Sequence, residues 1–219
     1  RERGDLPQAL LNFIALLGWS PGDDREVLSL EEMVDEFRFE RVSKSGAVFD
    51  REKLNWMNQQ YLLKLPEEEY FRMIDDVIQK GDYHDQDSGK IRQAAEILKT
   101  RLVTLSDLNQ KLGLFFEENP EIKDLQAIEV LKEENSKTVL KEFLQQAENL
   151  DQLTSENLGQ LVKSVQKTTG IKGRGLWMPL RCAITREVSG PELPAMLDFF
   201  GGEKCLHLIR QALENPSLN

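Results

Sequence analysis

With 219 residues the chain is long enough for one large or two to three small domains, and its 40% apolar and 30% charged residues are the balance of a chain that folds. Its longest apolar run, near residues 9–19, falls short of the roughly 20 residues that cross a bilayer, and the opening RERGDLPQ lacks the apolar stretch of a secretory signal; no membrane segment and a cytoplasmic location are expected. The net charge of −10 argues against indiscriminate nucleic-acid binding, although a polyanion meets the local field rather than the sum.

Read in chain order, the periodicity is helical nearly throughout. In residues 5–19, Leu6, Leu10, Phe13, Ile14 and Leu17 recur at threes and fours, with Asp5 and Pro7 as start signals and Gly18 as a stop; a strongly buried helix is predicted. Ser29 and Glu32 have the spacing of a capping box. Asp50 is placed to cap a helix over 51–65, where Leu54, Met57, Tyr61 and Leu65 form a stripe. Shorter amphipathic helices follow over 67–80, 89–101 and 104–116, with Gly81 and Gly113 where C-terminal caps belong. After Pro120 the helices become longer and richer in Glu and Lys, over 121–135, 137–150 and 155–170, which sets a domain boundary at 120–124. Two more helices are expected near 191–200 and 203–213. No sustained alternation of period two appears, so the chain reads as all-α, with about a dozen helices in two to three subdomains.

One stretch departs from the acidic background. Residues 163–186 hold Lys163, Lys167, Lys172, Arg174, Arg181 and Arg186 with no Asp or Glu, leaving −16 on the other 195 residues. It reads as a Gly-punctuated connection leading to Trp177 and Pro179. Lys and Arg neutralise phosphates, glycines let a backbone approach a ligand, and Trp177 or Arg181 can stack on an unpaired base. The competing reading is a basic loop that balances neighbouring acidic helices and buries Trp177, or binds an acidic partner of a helical interaction scaffold.

Other chemistry is sparse. Cys182 and Cys205 lack zinc-site spacing and read as free thiols. The acidic segment 82–90 partly matches a calcium loop, but Gly89 stands where a ligand belongs and Lys90 where the turn glycine does. His207 lies in an apolar helical context and reads as structural. KGRG and FFGGEK lack the spacing and the preceding strand of a phosphate loop.

Several phrases carry a resemblance. LPQALLNFIALLGWSPGDD, LSLEEMVDEF, RVSKSGAVFDREKLNWMNQQYL and GLWMPLRCAITREVSGPELPAML resemble bacterial-type glutamyl-tRNA synthetases, from just after the catalytic domain to the C-terminus. The resemblance implies the tRNA-reading part of a class I enzyme that uses ATP and magnesium to charge glutamate tRNA. The two signatures of that family's ATP site, a His-Ile-Gly-His motif and a Lys-Met-Ser-Lys-Ser-like loop, are not in this sequence, and VSKS at 42–45 is not the second of them. The expectation is a chain with no catalytic residues or cofactor of its own. Its expected partners are glutamate tRNA and a catalytic domain, with no DNA, no membrane and a monomeric state.

The resemblance also implies a division and a set of contacts. Residues 1–66 would contact the tRNA stem, 67–123 form a first anticodon-binding helical domain and 124–219 a second. Arg101 matches the position that separates glutamate from glutamine tRNA. Cytosine at the third anticodon letter offers acceptors to a guanidinium, whereas guanine presents donors against it, and mispairing costs about 1–3 kcal/mol. Arg181 matches a second anticodon-reading arginine, and Gly190 with Pro191 a loop beside the anticodon. Lys172 and Arg174 would hold phosphates, and Arg41, Ser43 and Lys44 would meet the inside of the tRNA, unless that segment is a turn held by its own hydrogen bonds.

Overall fold

The computed structural model describes residues 4–43, 46 and 48–215. Among them are twelve α-helices: α1 Pro7–Gly18, α2 Leu30–Glu36, α3 Arg51–Lys64, α4 Glu67–Ile78, α5 Ser88–Leu98, α6 Asp107–Phe116, α7 Leu125–Lys132, α8 Glu134–Ala147, α9 Ser155–Thr169, α10 Arg174–Thr185, α11 Leu193–Phe200 and α12 Gly202–Glu214. No strand forms among the described residues, and extended pairing is confined to an isolated antiparallel bridge between Trp19 and Val42. The all-α expectation is met. The chain divides into two compact units, Arg1–Leu112 and Gly113–Asn219, and the division falls within α6.

Local chemistry explains several helix ends. Ser29 accepts the Glu32 N–H while the Glu32 carboxylate accepts the Ser29 N–H, the reciprocal cap that the sequence spacing predicted. Asp50 caps α3 through the Lys53 N–H, and Thr154 with Asn157 forms a second box at α9. Other boundaries depart from the expectations. Gly113 lies inside α6, and Gly81 follows α4 in a turn where Asn109 packs so closely that a Cβ would strike it. The helix expected over 121–135 ends at Lys132. Glu133 turns extended (φ −62°, ψ 136°), and α8 begins at the next residue.

In the first unit α1 packs on α2 and α3. Phe13, Leu54 and Met57 form one core cluster; Trp19, Leu28 and Met33 form another. Two buried asparagines tie the segments together. Asn58 accepts the Leu6 N–H at 2.7 Å and donates to the Val103 carbonyl, and Asn12 accepts the Leu28 N–H at 2.9 Å. Each satisfies backbone groups that are costly to bury unpaired. The expectation that α1 is buried along its whole apolar stripe is corrected. Leu6, Ala9 and Phe13 are buried, whereas Leu10, Leu11 and Ile14 are exposed, because α2 and α3 cover one side of the helix only.

In the second unit α10 is the central element, packing on α7, α8, α11 and α12. Phe115 and Phe116 of α6 meet Phe199 of α11 edge to face, with centroids 4.9 and 6.2 Å apart. No helix among the described residues is long and apolar enough to cross a membrane.

Candidate nucleic-acid interface

The helix expected over 155–170 is found, and the connection expected after it is mostly helix as well. Residues 163–169 complete α9, and Gly170 ends it in the left-handed conformation (φ 74°) with its N–H on the Gln166 carbonyl. Gly173, at φ 58°, turns the chain into α10, which runs through Pro179. A side chain at φ near +60° costs about 1–2 kcal/mol in most residues, which glycine avoids. No side chain caps the start of α10 and no acidic residue stands in its first turn, so the positive end of the helix dipole is not neutralised there.

The helical geometry sorts the residues of α10 into two faces. Leu176, Pro179, Leu180, Ala183 and Ile184 are buried. Arg174, Trp177 and Arg181 recur at three and four, so they share the opposite side; Trp177 is 42% exposed and Arg174 is exposed. A cation, an indole and a second cation thus line one stripe above a rigid core. The reading in which Trp177 is buried as core is excluded.

Arg181 is held in a defined pose. Its Nη1 donates to the Gly190 carbonyl at 2.7 Å, and its Nη2 pairs with Glu192 Oε2 at 3.0 Å. The loop between α10 and α11 supplies both partners. Gly190 and Pro191 are buried; a Cβ at Gly190 would fall on Thr185 Oγ1 and Cβ, so the loop closes onto the end of α10 only with glycine there. The Thr185 hydroxyl lies 2.9 Å from the Arg181 carbonyl and 3.0 Å from that of Glu187. Asp124, at the start of α7, accepts the Val188 N–H at 2.9 Å and the Gln126 N–H at 2.9 Å. These backbone hydrogen bonds, that from Val188 foremost, hold its carboxyl below its ordinary value of 3.8.

The six cations separate by environment. Lys163, Lys167, Lys172 and Arg174 are exposed, Arg181 is half-buried, and Arg186 is buried. Arg186 points away from solvent. Its guanidinium donates to the Ala183 carbonyl at 2.8 Å, the Leu208 carbonyl at 3.3 Å and Gln211 Oε1 at 2.9 Å, and burial lowers its pKa to about 10. Its backbone, at φ 63°, ends α10 with the N–H on the Cys182 carbonyl, a position where glycine is usual. Arg186 is therefore a strut between α10 and α12 rather than part of the basic surface.

Four expected contact residues fall in the span of the first unit, three of them among the described residues. Arg101 is half-buried and closes the 3-10 turn Lys99–Arg101 that follows α5. The turn is anchored on both sides: Gln59 donates to the Thr100 carbonyl at 2.9 Å, Lys99 Nζ sits 4.6 Å from the Tyr70 ring centre, and Leu102 is fully buried. Arg41 ends the turn Phe39–Arg41, donates to the Pro21 carbonyl and lies against Gly22, whose φ is 92°. The Ser43 N–H donates to the Gly18 carbonyl at 2.8 Å. These bonds hold Arg41 and Ser43 against residues 18–22. Lys44 lies outside the described residues. Among those described, no group of three His, Cys, Asp or Glu side chains is arranged to hold a metal ion. Both cysteines are free and buried.

Sequence reasoning missed α10 itself, because Pro179 and two glycines read as loop signals. It also missed Glu192 and the second role of Asp124. The Asp124 bond to Val188 spans 64 positions and leaves no local trace.

Comparison with known proteins gives this geometry a context. The family model described as "Anticodon binding domain" matches residues 57–213, and that described as "tRNA synthetases class I (E and Q), catalytic domain" matches residues 1–56. The chain is 37% identical to the glutamate–tRNA ligase of Halalkalibacterium halodurans, over 97% of the chain and 45% of that protein. It is 36% identical to that of Geobacillus stearothermophilus, over 98% and 45%. Among solved structures, the glutamate tRNA ligase of Elizabethkingia meningosepticum aligns with a TM-score of 0.72 at 29% identity, covering 98% of this chain and 42% of that one. The glutamate-tRNA synthetase of Elizabethkingia anophelis gives 0.68 at 30%, with the same coverage. The chain spans less than half the length of the relatives it matches.

Proposed function

The chain belongs to the anticodon-binding-domain family of the glutamate–tRNA ligases, and from that premise we propose that it binds glutamate tRNA at the anticodon and positions it for charging in translation. The stripe Arg174, Trp177 and Arg181 on α10 carries the proposal, because it combines what a splayed anticodon loop requires. Arg174, with Lys172 beside it, supplies phosphate contacts that set orientation; Trp177 supplies an aromatic face for an unstacked base; Arg181 supplies directed donors to a base edge. Gly190 and Pro191 bring the neighbouring loop to the same place.

Arg101 is assigned the third anticodon letter, favouring cytosine over guanine, and this makes the protein specific for glutamate tRNA. Residues 1–66 are assigned to the stem side of the tRNA, with Arg41, Ser43 and Lys44 toward its inner face, and 67–123 and 124–219 to two anticodon-binding parts. Activation of glutamate with ATP and magnesium belongs, in this reading, to a catalytic domain in the cytoplasm, and the present residues bind and orient.

The test is a titration of the chain with glutamate tRNA, beside a variant carrying G as the third anticodon letter, at two salt concentrations. A salt-sensitive preference for the natural anticodon is expected. Arg101→Gln should reduce that preference by about 1–3 kcal/mol. Equal affinity for the two tRNAs overturns the reading.

A further inference from the structure

We propose that Glu192 is a positioning residue for anticodon reading: its carboxylate and the Gly190 carbonyl form a two-point bracket that fixes the guanidinium plane of Arg181. The inference rests on the reading of Arg181 as a base-contacting residue and extends it to a side chain with no assigned role.

The choice of residue at position 192 is odd on local grounds. Glu192 is the N-cap of α11, a place where Ser, Thr, Asp or Asn normally accepts a backbone N–H of the first turn, and the Glu192 side chain makes no such cap. It reaches instead to Arg181 Nη2 at 3.0 Å. Nor does charge explain it, because the carboxylate is 69% exposed beside a basic stripe and repels any phosphate that approaches. What the position does offer is rigidity. Buried Pro191 precedes it, Pro194 lies in the first turn of α11, and Leu193, Met196 and Leu197 bury α11 in the unit. The carboxylate therefore projects from a fixed point.

An arginine on a helix face has rotamer freedom to lose before its planar fork meets a base. With Nη1 held by the Gly190 carbonyl and Nη2 by Glu192, the swivel of the fork is removed in advance. The remaining N–H groups of the guanidinium then face the base at a set angle, and a wrong base meets misdirected donors rather than an adaptable side chain. Glu192 gives up some affinity for RNA in general in exchange for selectivity.

Charge and position are separable by substitution. Glu192→Gln removes the charge but keeps an oxygen that accepts from Arg181; Glu192→Ala removes both. Affinity is measured for glutamate tRNA and for variants with each anticodon letter changed in turn, with circular dichroism as a control on folding. Both substitutions should tighten binding of the changed tRNAs slightly. Only Glu192→Ala should shrink the preference for the natural letter read by Arg181, by about tenfold, with Glu192→Gln within about twofold of the parent. In an Arg181→Gln background Glu192→Ala should leave that preference unchanged. Rotation of the Arg181 guanidinium about its Cζ–Nε bond, followed by NMR without RNA, should be slow in the parent and fast in Glu192→Ala.

A preference unaltered by Glu192→Ala, or equally reduced by both substitutions, overturns the positioning role while anticodon reading stands. No preference in the parent overturns the reading of Arg181, and the bracket with it. Equally fast rotation in parent and variant overturns the bracket whatever the RNA result.

Discussion

At Asp124 one carboxylate satisfies two backbone donors, the Gln126 N–H at the start of α7 and the Val188 N–H in the loop that carries Gly190. Asn caps helices about as well as Asp. Asp124→Asn therefore keeps the first bond but turns an amide NH2 toward the Val188 N–H, and it should cost about 1–2 kcal/mol in denaturant unfolding. The sign with pH follows from the lowered carboxyl. A group whose folded pKa is depressed contributes fully above its ordinary value, here 3.8, and its contribution fades as pH falls through the folded value. Unfolding of the parent between pH 4 and 2 should thus show a loss of stability that Asp124→Asn reduces. The cap was not read in the sequence, which placed the start of the helix at 121, but the amphipathic run behind it was legible. The role of Arg186 was not. It was counted with the surface cations, and its burial depends on carbonyl and amide partners contributed by α12, which only tertiary packing supplies.

At the scale of the helix, α10 shows how the same residues are misread and then explained. Pro179 and the glycines break a local helical pattern, yet α10 packs on four other helices, and that burial outweighs the roughly 3 kcal/mol that a helical proline costs. Once the helix exists, Arg174, Trp177 and Arg181 fall into register. The contact of α10 with α12 also sets the alkaline behaviour. Cys182 on α10 and Cys205 on α12 are fully buried, and burial pushes their thiols up to about 11 and about 12 from an ordinary 9.0. In the unfolded chain both ionise near pH 9 while the folded protein keeps them protonated, so the unfolded state binds fewer protons and stability falls as pH rises. The fall should reach about 2 kcal/mol between pH 9 and 10. Arg186, lowered to about 10, acts in the opposite sense but mainly above that window. Replacing both cysteines with alanine lowers stability at neutral pH through lost packing, and it should flatten the decline from pH 9 to 10, measured by thermal or urea unfolding across that range. A decline of unchanged slope would remove the thiols as its source.

At the scale of the whole molecule, the contrast between a total charge of −10 and a cationic stretch is a statement about salt. Each phosphate neutralised in a single-stranded region contributes about −0.7 to the slope of log affinity against log salt. The sequence alone suggests six contributors between 163 and 186, but burial reduces them: Arg186 is enclosed, and Arg181 is engaged with Gly190 and Glu192. Lys163, Lys167, Lys172 and Arg174 remain exposed. Four contacts set a ceiling of about −2.8 on what this stretch supplies to tRNA binding. Arg174→Gln should make the slope shallower by about 0.7, and Lys172→Gln likewise. Arg186→Met should leave it unchanged while lowering the unfolding temperature, since the lost guanidinium leaves the Leu208 carbonyl and the Gln211 side chain short of a donor. Measured over a series of potassium chloride concentrations, a slope that Arg186→Met changes as much as Arg174→Gln does would mean that the strut opens and its cation reaches the RNA. A slope insensitive to Arg174 and Lys172 would move the phosphate contacts off the start of α10, and the stripe would then be left to read bases without setting orientation.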